Sequence, residues 1–110
     1  MHEASLVDAL FDEVRRAIAP RLPGGVRALR VRIGALAGVE PELFKTAFDV
    51  LHAEAGMPHA TLEIVHEPAE WRCDVCGAEV GAVVCATCDT PARLAAGDAL
   101  ILERVEVDDV

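Results

Sequence analysis

Residues 28–51, ALRVRIGALAGVEPELFKTAFDVL, change hydrophobic period part-way along. From 28 to 36 the side chains alternate, with Leu29, Val31, Ile33 and Ala35 on one side and Arg30 and Arg32 on the other. A period of two marks a strand with one buried face and one wet face. From Pro41 onward the period becomes helical: Leu43, Phe44, Ala47, Phe48 and Leu51 form one stripe. Pro41 suits the first helical position, where a missing N–H breaks no bond, and Gly56 suits the stop. A half-buried strand running into an amphipathic helix calls for a sheet with helical cover on one side.

The flanking sequence extends that pattern. Upstream, Leu6, Val7, Leu10, Phe11, Val14, Ala17 and Ile18 recur at helical spacing. Ser5 and Asp8 read as a capping pair, and Pro20, Pro23, Gly24 and Gly25 as a terminating loop, which predicts a helix over 5–19. Downstream, ATLEIVHE (60–67) alternates as a second strand ended by Pro68, and ALILERVEV (99–107) reads as a third. The expected order is helix, strand, helix, strand, cysteine segment, strand. The fold class is α+β: a small three-stranded sheet with two helices on one face, plus an inserted zinc-ribbon-like module. The division expected is 1–68 plus 95–110 for the helical domain and 69–94 for the module. The order of strands in the sheet cannot be read from the pattern.

Composition narrows the function. The 110 residues carry 10 basic and 19 acidic side chains, a net charge of −9. Such a surface repels phosphate backbones, so nucleic acid is not an expected partner; a basic protein or a cation suits it. No apolar run approaches the ~20 residues that span a bilayer, and the start lacks a basic, then apolar, signal pattern. A cytoplasmic location without membrane insertion is expected. No serine–histidine–aspartate set, phosphate loop or catalytic carboxylate pair emerges, so no enzymatic activity is expected. Monomer and homodimer both fit.

All four cysteines fall within CDVCGAEVGAVVCATC, residues 73–88. Cys73, Cys76, Cys85 and Cys88 make two C-x-x-C knuckles separated by eight residues. In a reducing compartment this is a metal pattern rather than a disulfide framework. A two-residue gap turns both sulfurs of a knuckle inward, and Gly77 supplies a left-handed backbone after the first. Two facing knuckles form a closed tetrahedral site suited to Zn(II) at about 2.3 Å Zn–S, with iron the main competitor. Val75, Val80, Val83, Val84 and Trp71 are the apparent packing material, and Arg72 and Arg93 are placed to offset the negative cluster.

The chain opens Met1-His2-Glu3. A free amine on Met1, the backbone nitrogens of His2 and Glu3, and the His2 imidazole can converge on one ion through small chelate rings. Four nitrogens in a plane suit Ni(II) or Cu(II) rather than zinc. The first N–H groups of a helix have no intrahelical partner, so their use as ligands breaks no helix bond. An amine near pKa ~7.7–8.0 and an imidazole near ~6.5 must lose protons to bind, so affinity should fall below neutral pH. A solvated, idle histidine is the alternative. His52 reads as an exposed helix residue, His59 as a loop residue, and His66 as a surface residue near the cysteine segment.

MHEASL, RIGALAGVEPELFKTAFDVL, the two knuckles and GDALILERVEV together resemble the HypA/HybF family of hydrogenase nickel-incorporation proteins, nearly end to end. The resemblance implies a nickel metallochaperone with a nickel-binding α/β domain and a zinc domain. It implies Ni(II) as transient cargo at Met1 and His2, with Glu3 adjacent, and structural Zn(II) on Cys73, Cys76, Cys85 and Cys88. It implies delivery during maturation of [NiFe] hydrogenase and, in some organisms, urease. The implied partners are a nickel-handling GTPase, usually called HypB, and the hydrogenase large-subunit precursor. A zinc-ribbon protein-interaction module without nickel transfer is the competing reading. This chain departs from the family in its short connector between knuckles, in Asp89 where glycine is usual, and in Ala4 where a larger apolar residue is frequent.

Overall fold

A computed structural model describes residues 2–108 of the chain. Helix α1 spans His2–Ile18, β1 Val26–Gly34, α2 Pro41–Leu51 and β2 Thr61–Glu67. The cysteine segment contributes β3 (Glu70–Cys73), β4 (Glu79–Val80), β5 (Val84–Cys85) and β6 (Thr90–Ala96), and β7 (Leu100–Val107) returns to the first sheet. The strand order is β2-β1-β7 in one sheet and β4-β3-β6-β5 in the other.

The first sheet is built around β1. It runs parallel to β2, the α2 crossover making that possible, and antiparallel to β7. Val26, Leu29, Val31 and Ile33 point into the core and meet Val7, Leu10, Phe11, Val14 and Ile18 of α1 and Phe44 and Phe48 of α2. The Phe11 and Phe48 rings sit 5.8 Å apart where the helices cross over the sheet. Each such buried side chain stabilises the fold by about 1.5–3 kcal/mol. The architecture is thus α+β, with two helices on one face of a three-stranded sheet and a cysteine-rich module resembling a zinc ribbon inserted before the last strand.

The other face of the sheet is ionic. Arg30 pairs with Glu63 of β2 at 2.9 Å, its partner in register, and Arg32 reaches Glu103 of β7 at 2.6 Å. In β7 the alternation breaks once: Leu100, Leu102, Val105 and Val107 pack on the core, while Glu103 and Arg104 both face out. A register shift opposite Arg30 and Val31 accommodates the extra residue, as a β-bulge does.

Several expectations change. Helix α1 starts at His2, so Ser5 lies inside it rather than at its cap. No breaker stands before Ser5, and the Glu3 carboxylate accepts the backbone N–H of Glu40 at 3.2 Å, which anchors the first turn from outside the helix. An acidic residue there also suits the helix dipole. Strand β1 ends at Gly34, and Ala35 is exposed. His52 is not free: it is half-buried, its ring stacks on Phe48 at 5.2 Å, and its Nδ1 is 2.7 Å from the Met57 carbonyl.

The two sheets meet at a tight joint. The Gly34 N–H donates to the Ala99 carbonyl, the Ala35 N–H to the Glu67 carbonyl and the Leu36 N–H to the Gly97 carbonyl. The Glu67 side chain accepts the Gly97 N–H at 3.1 Å and lies 3.5 Å from Arg32. A Cβ on Gly34 would stand 2.2 Å from the Gly97 carbonyl oxygen, so the chains cross where neither has a side chain.

Candidate metal centres

The four cysteine sulfurs converge, all lying within 4.8 Å of one another. Among the described residues they are the group of histidine, cysteine and carboxylate side chains close enough to share an ion. Strand β3 delivers Cys73 and β5 delivers Cys85, both buried, while Cys76 and Cys88 follow on the knuckle loops. The knuckles are built alike. The Gly77 N–H donates to the Cys73 carbonyl at 2.9 Å, and the Asp89 N–H donates to the Cys85 carbonyl at 2.7 Å. Both donors sit at positive φ, +74° for Gly77 and +52° for Asp89. The first glycine was expected from the sequence; Asp89 takes the same left-handed turn with a side chain in place.

The chemistry of the donor set fits a divalent thiophilic ion. The Cys76 N–H, the Thr90 hydroxyl and the Val75 N–H lower the Cys73 thiol to about 6. Cys88, facing the sulfurs of Cys73 and Cys76, is pushed up to about 12. One thiolate is therefore welcomed by the protein, and Cys88 resists ionising beside it until a cation joins them. Cys76 and Cys85 Sγ are 4.0 Å apart, near the edge of about 3.8 Å that a tetrahedron with Zn–S of about 2.3 Å requires. Thr90, whose Oγ1 is 3.6 Å from Cys73 Sγ, supports the site from outside the ligand set. No spacing rule singles it out in the sequence.

Little else holds this module together. Val75, Val83 and Val84 are exposed, contrary to their expected packing role. Trp71 is flanked in the sheet by Val80 and Leu94, and all three are half-buried. Arg72 and Arg93 each have a carboxylate of their own, Glu70 at 2.8 Å and Asp74 at 2.7 Å, so neither guanidinium is reserved for the sulfur cluster.

At the other end of the chain, Met1 lies outside the described residues. His2 opens α1 with its side chain 62% exposed, and its Nδ1 is 3.7 Å from Glu3 Oε2. The Glu3 side chain is only 13% exposed. The Glu40 N–H, and next its own N–H, hold its carboxyl below the usual range. Glu40, which the sequence did not mark, is what fixes this turn against the start of α2. His66 is exposed at the end of β2 and, like His52 and His59, belongs to no metal-capable cluster among the described residues.

Fold and site together define a class: a small α+β protein carrying a four-cysteine module whose sulfurs are close enough to share one metal ion. Comparison with known proteins makes the assignment specific. Residues 1–107 match the family model described as "Hydrogenase/urease nickel incorporation, metallochaperone, hypA". The chain is 31% identical over 113 residues to the hydrogenase maturation factor HypA of Shewanella halifaxensis, covering 98% of each. It is 32% identical over 114 residues to that of Dehalococcoides mccartyi, covering 99% of this chain and 96% of the other. Its fold is similar to the solution structure of the Ni metallochaperone HypA from Helicobacter pylori, with a TM-score of 0.66, 25% identity and 96% of each chain covered. The chain belongs to the HypA family of nickel metallochaperones, which are carriers and not enzymes. No helix among the described residues is long and apolar enough to cross a membrane.

Proposed function

We propose that this chain carries Ni(II) on its first residues and hands it on during maturation of [NiFe] hydrogenase or of urease. The Met1 amine, the backbone nitrogens of His2 and Glu3, and the His2 imidazole form the planar ligand set. The observation that carries the reading is the first turn of α1. An exposed imidazole stands there beside amides that have no intrahelical partner, while the Glu3 carboxylate is tied to Glu40. Glu3 thus serves nickel through its backbone nitrogen, and its carboxylate steadies the turn and offsets the cation's conflict with the helix dipole. A planar ion at an exposed terminus stays open along its axis, so an incoming ligand can attack there and take the metal by exchange.

The four cysteines, in this reading, hold Zn(II) as a structural ion. It supplies the stability that the sparse packing around Trp71 does not. We assign residues 1–68 plus 95–110 to the nickel domain and 69–94 to the zinc domain, with partner contacts to a HypB-type GTPase and the hydrogenase large-subunit precursor in the cytoplasm. The family match supports these roles. The test is metal analysis of protein purified without any N-terminal addition and exposed to both ions. The reading predicts one zinc and one nickel per chain, with His2→Ala losing nickel alone. Zinc alone on the unaltered protein would leave an interaction module and defeat the nickel role.

A further inference from the structure

The seam between α1 and α2 carries a groove that the core does not need. Leu43 and Val50 are 55% and 69% exposed, and with Ala47 they form a second apolar stripe on α2, beside the one that Phe44 and Phe48 bury. Ala4 and Leu51 complete the floor at one end, and the groove continues past Leu51 to Phe11 and Ala55. On α1 it runs from Glu3 to Arg15, about 18 Å at 1.5 Å per residue, the length of a helix of about twelve residues.

Its walls are acidic. Asp8, Asp12 and Glu54 line the far half. Arg15, the one cation there, is already paired with Asp12 at 2.8 Å and donates to the Ala55 carbonyl at 2.7 Å. Asp8 and Glu54 have no ion-pair partner among the described residues. An exposed apolar floor that runs on into a half lined by the uncompensated carboxylates of Asp8 and Glu54 is a recognition surface for a helix with an apolar stripe and cations at one end. Both walls are helices, so the groove offers no sheet edge to an extended peptide, and the fitting ligand is itself a helix. A second copy of this chain would bring the same acidic walls and a net charge of −9, and an anionic membrane would be repelled in the same way.

We infer that the α1–α2 groove is a docking site for a basic amphipathic helix of a partner protein. The site begins beside the proposed nickel turn but does not depend on nickel. The probe is a labelled synthetic peptide of about 14 residues that folds as a leucine–lysine amphipathic helix, compared with its leucine–glutamate counterpart. The lysine peptide should shift the backbone amide NMR signals of Ala4, Ala47, Val50 and Ala55, more weakly as salt rises. Val50→Asp should weaken binding at least about tenfold although it adds negative charge, because it removes the apolar seat. Lys45→Gln, which makes the same one-unit change in net charge outside the groove, should not weaken it. Zinc content and circular dichroism verify that both variants fold. The inference is overturned if the shifts map to the ionic sheet face or the cysteine module, if the glutamate peptide binds equally, or if Val50→Asp binds as the parent does. Shifts that grow with protein concentration alone would overturn it too, by assigning the groove to a second copy.

Discussion

Gly97→Ala tests whether the joint between the two sheets is as tight as its geometry requires. Gly97 lies between β6 and β7 at φ +96°, and an added Cβ would stand 2.6 Å from the Pro68 carbonyl oxygen and 2.7 Å from Ala69 Cα. Both neighbours are backbone, so no side chain can swing aside. The positive φ costs an L-residue about 1–2 kcal/mol. Forcing the crossing chains apart costs about 1–3 kcal/mol more and strains the bonds from Leu36 and to Glu67. The sum, about 2–5 kcal/mol, is a large part of the ~5–15 kcal/mol of a typical domain. Gly38→Ala is the matched control: its φ is +74° and nothing lies within 4 Å of its added Cβ, so only the conformational cost applies. Urea unfolding of the zinc-loaded protein measures both, with helical circular dichroism reporting the first sheet's cover and Trp71 fluorescence reporting the module. Gly97→Ala should lose clearly more stability than Gly38→Ala. If the two variants agree within about 0.5 kcal/mol, the crowding at the joint carries no energetic weight and the reasoning fails.

Three further outcomes follow from other parts of the molecule. Asp89→Gly should relieve the left-handed strain at φ +52°, raise the module's stability by up to about 1 kcal/mol, and slow zinc loss to a chelator; faster loss would contradict this. Cys73→Ser should abolish the folded Trp71 signal while the helical signal persists, because Phe11, Phe44 and Phe48 pack without the metal; joint loss of both signals would count against separable units. Arg27 donates to the Asp108 carboxylate at 2.8 Å and holds its pKa below the ordinary value near 3.9. The pair's stabilisation is thus present above that value and fades as pH falls through the lowered one. A carboxyl NMR titration should show Asp108 ionising below the ordinary range, and the Arg27→Gln variant should return it there.

Much of this molecule can be read from residue order, and the parts that cannot have physical reasons. Strands β1 and β2 and helix α2 announce themselves because each buries one face, and the period of Leu29-Val31-Ile33 or Phe44-Phe48-Leu51 records that burial. The knuckles are visible because ligand geometry dictates their spacing. The start of α1 is hidden because its support comes from Glu40, thirty-seven residues away, rather than from a local cap. Strand β6 is faint because TPARLAA offers small side chains and a proline, and its partners Trp71 and Val84 are set by the module's closure. His52 looked solvated by its neighbours in sequence, yet the turn after α2 folds back and supplies the Met57 carbonyl. Of the cysteine cluster, the sulfurs were legible while Thr90, beside Cys73, was not, and neither was Glu40, which holds the Glu3 carboxylate.

Nickel binding by the first turn is open to a single comparison. Chains beginning at Met1 and chains carrying a single extra residue before Met1 are titrated with Ni(II) in competition with a coloured chelator, and the absorption bands of the bound ion are recorded. One nickel per unextended chain with a square-planar spectrum is expected, and loss of that site on extension with the four-cysteine module unchanged. Equal nickel affinity in both, or an octahedral spectrum in the unextended chain, would contradict it.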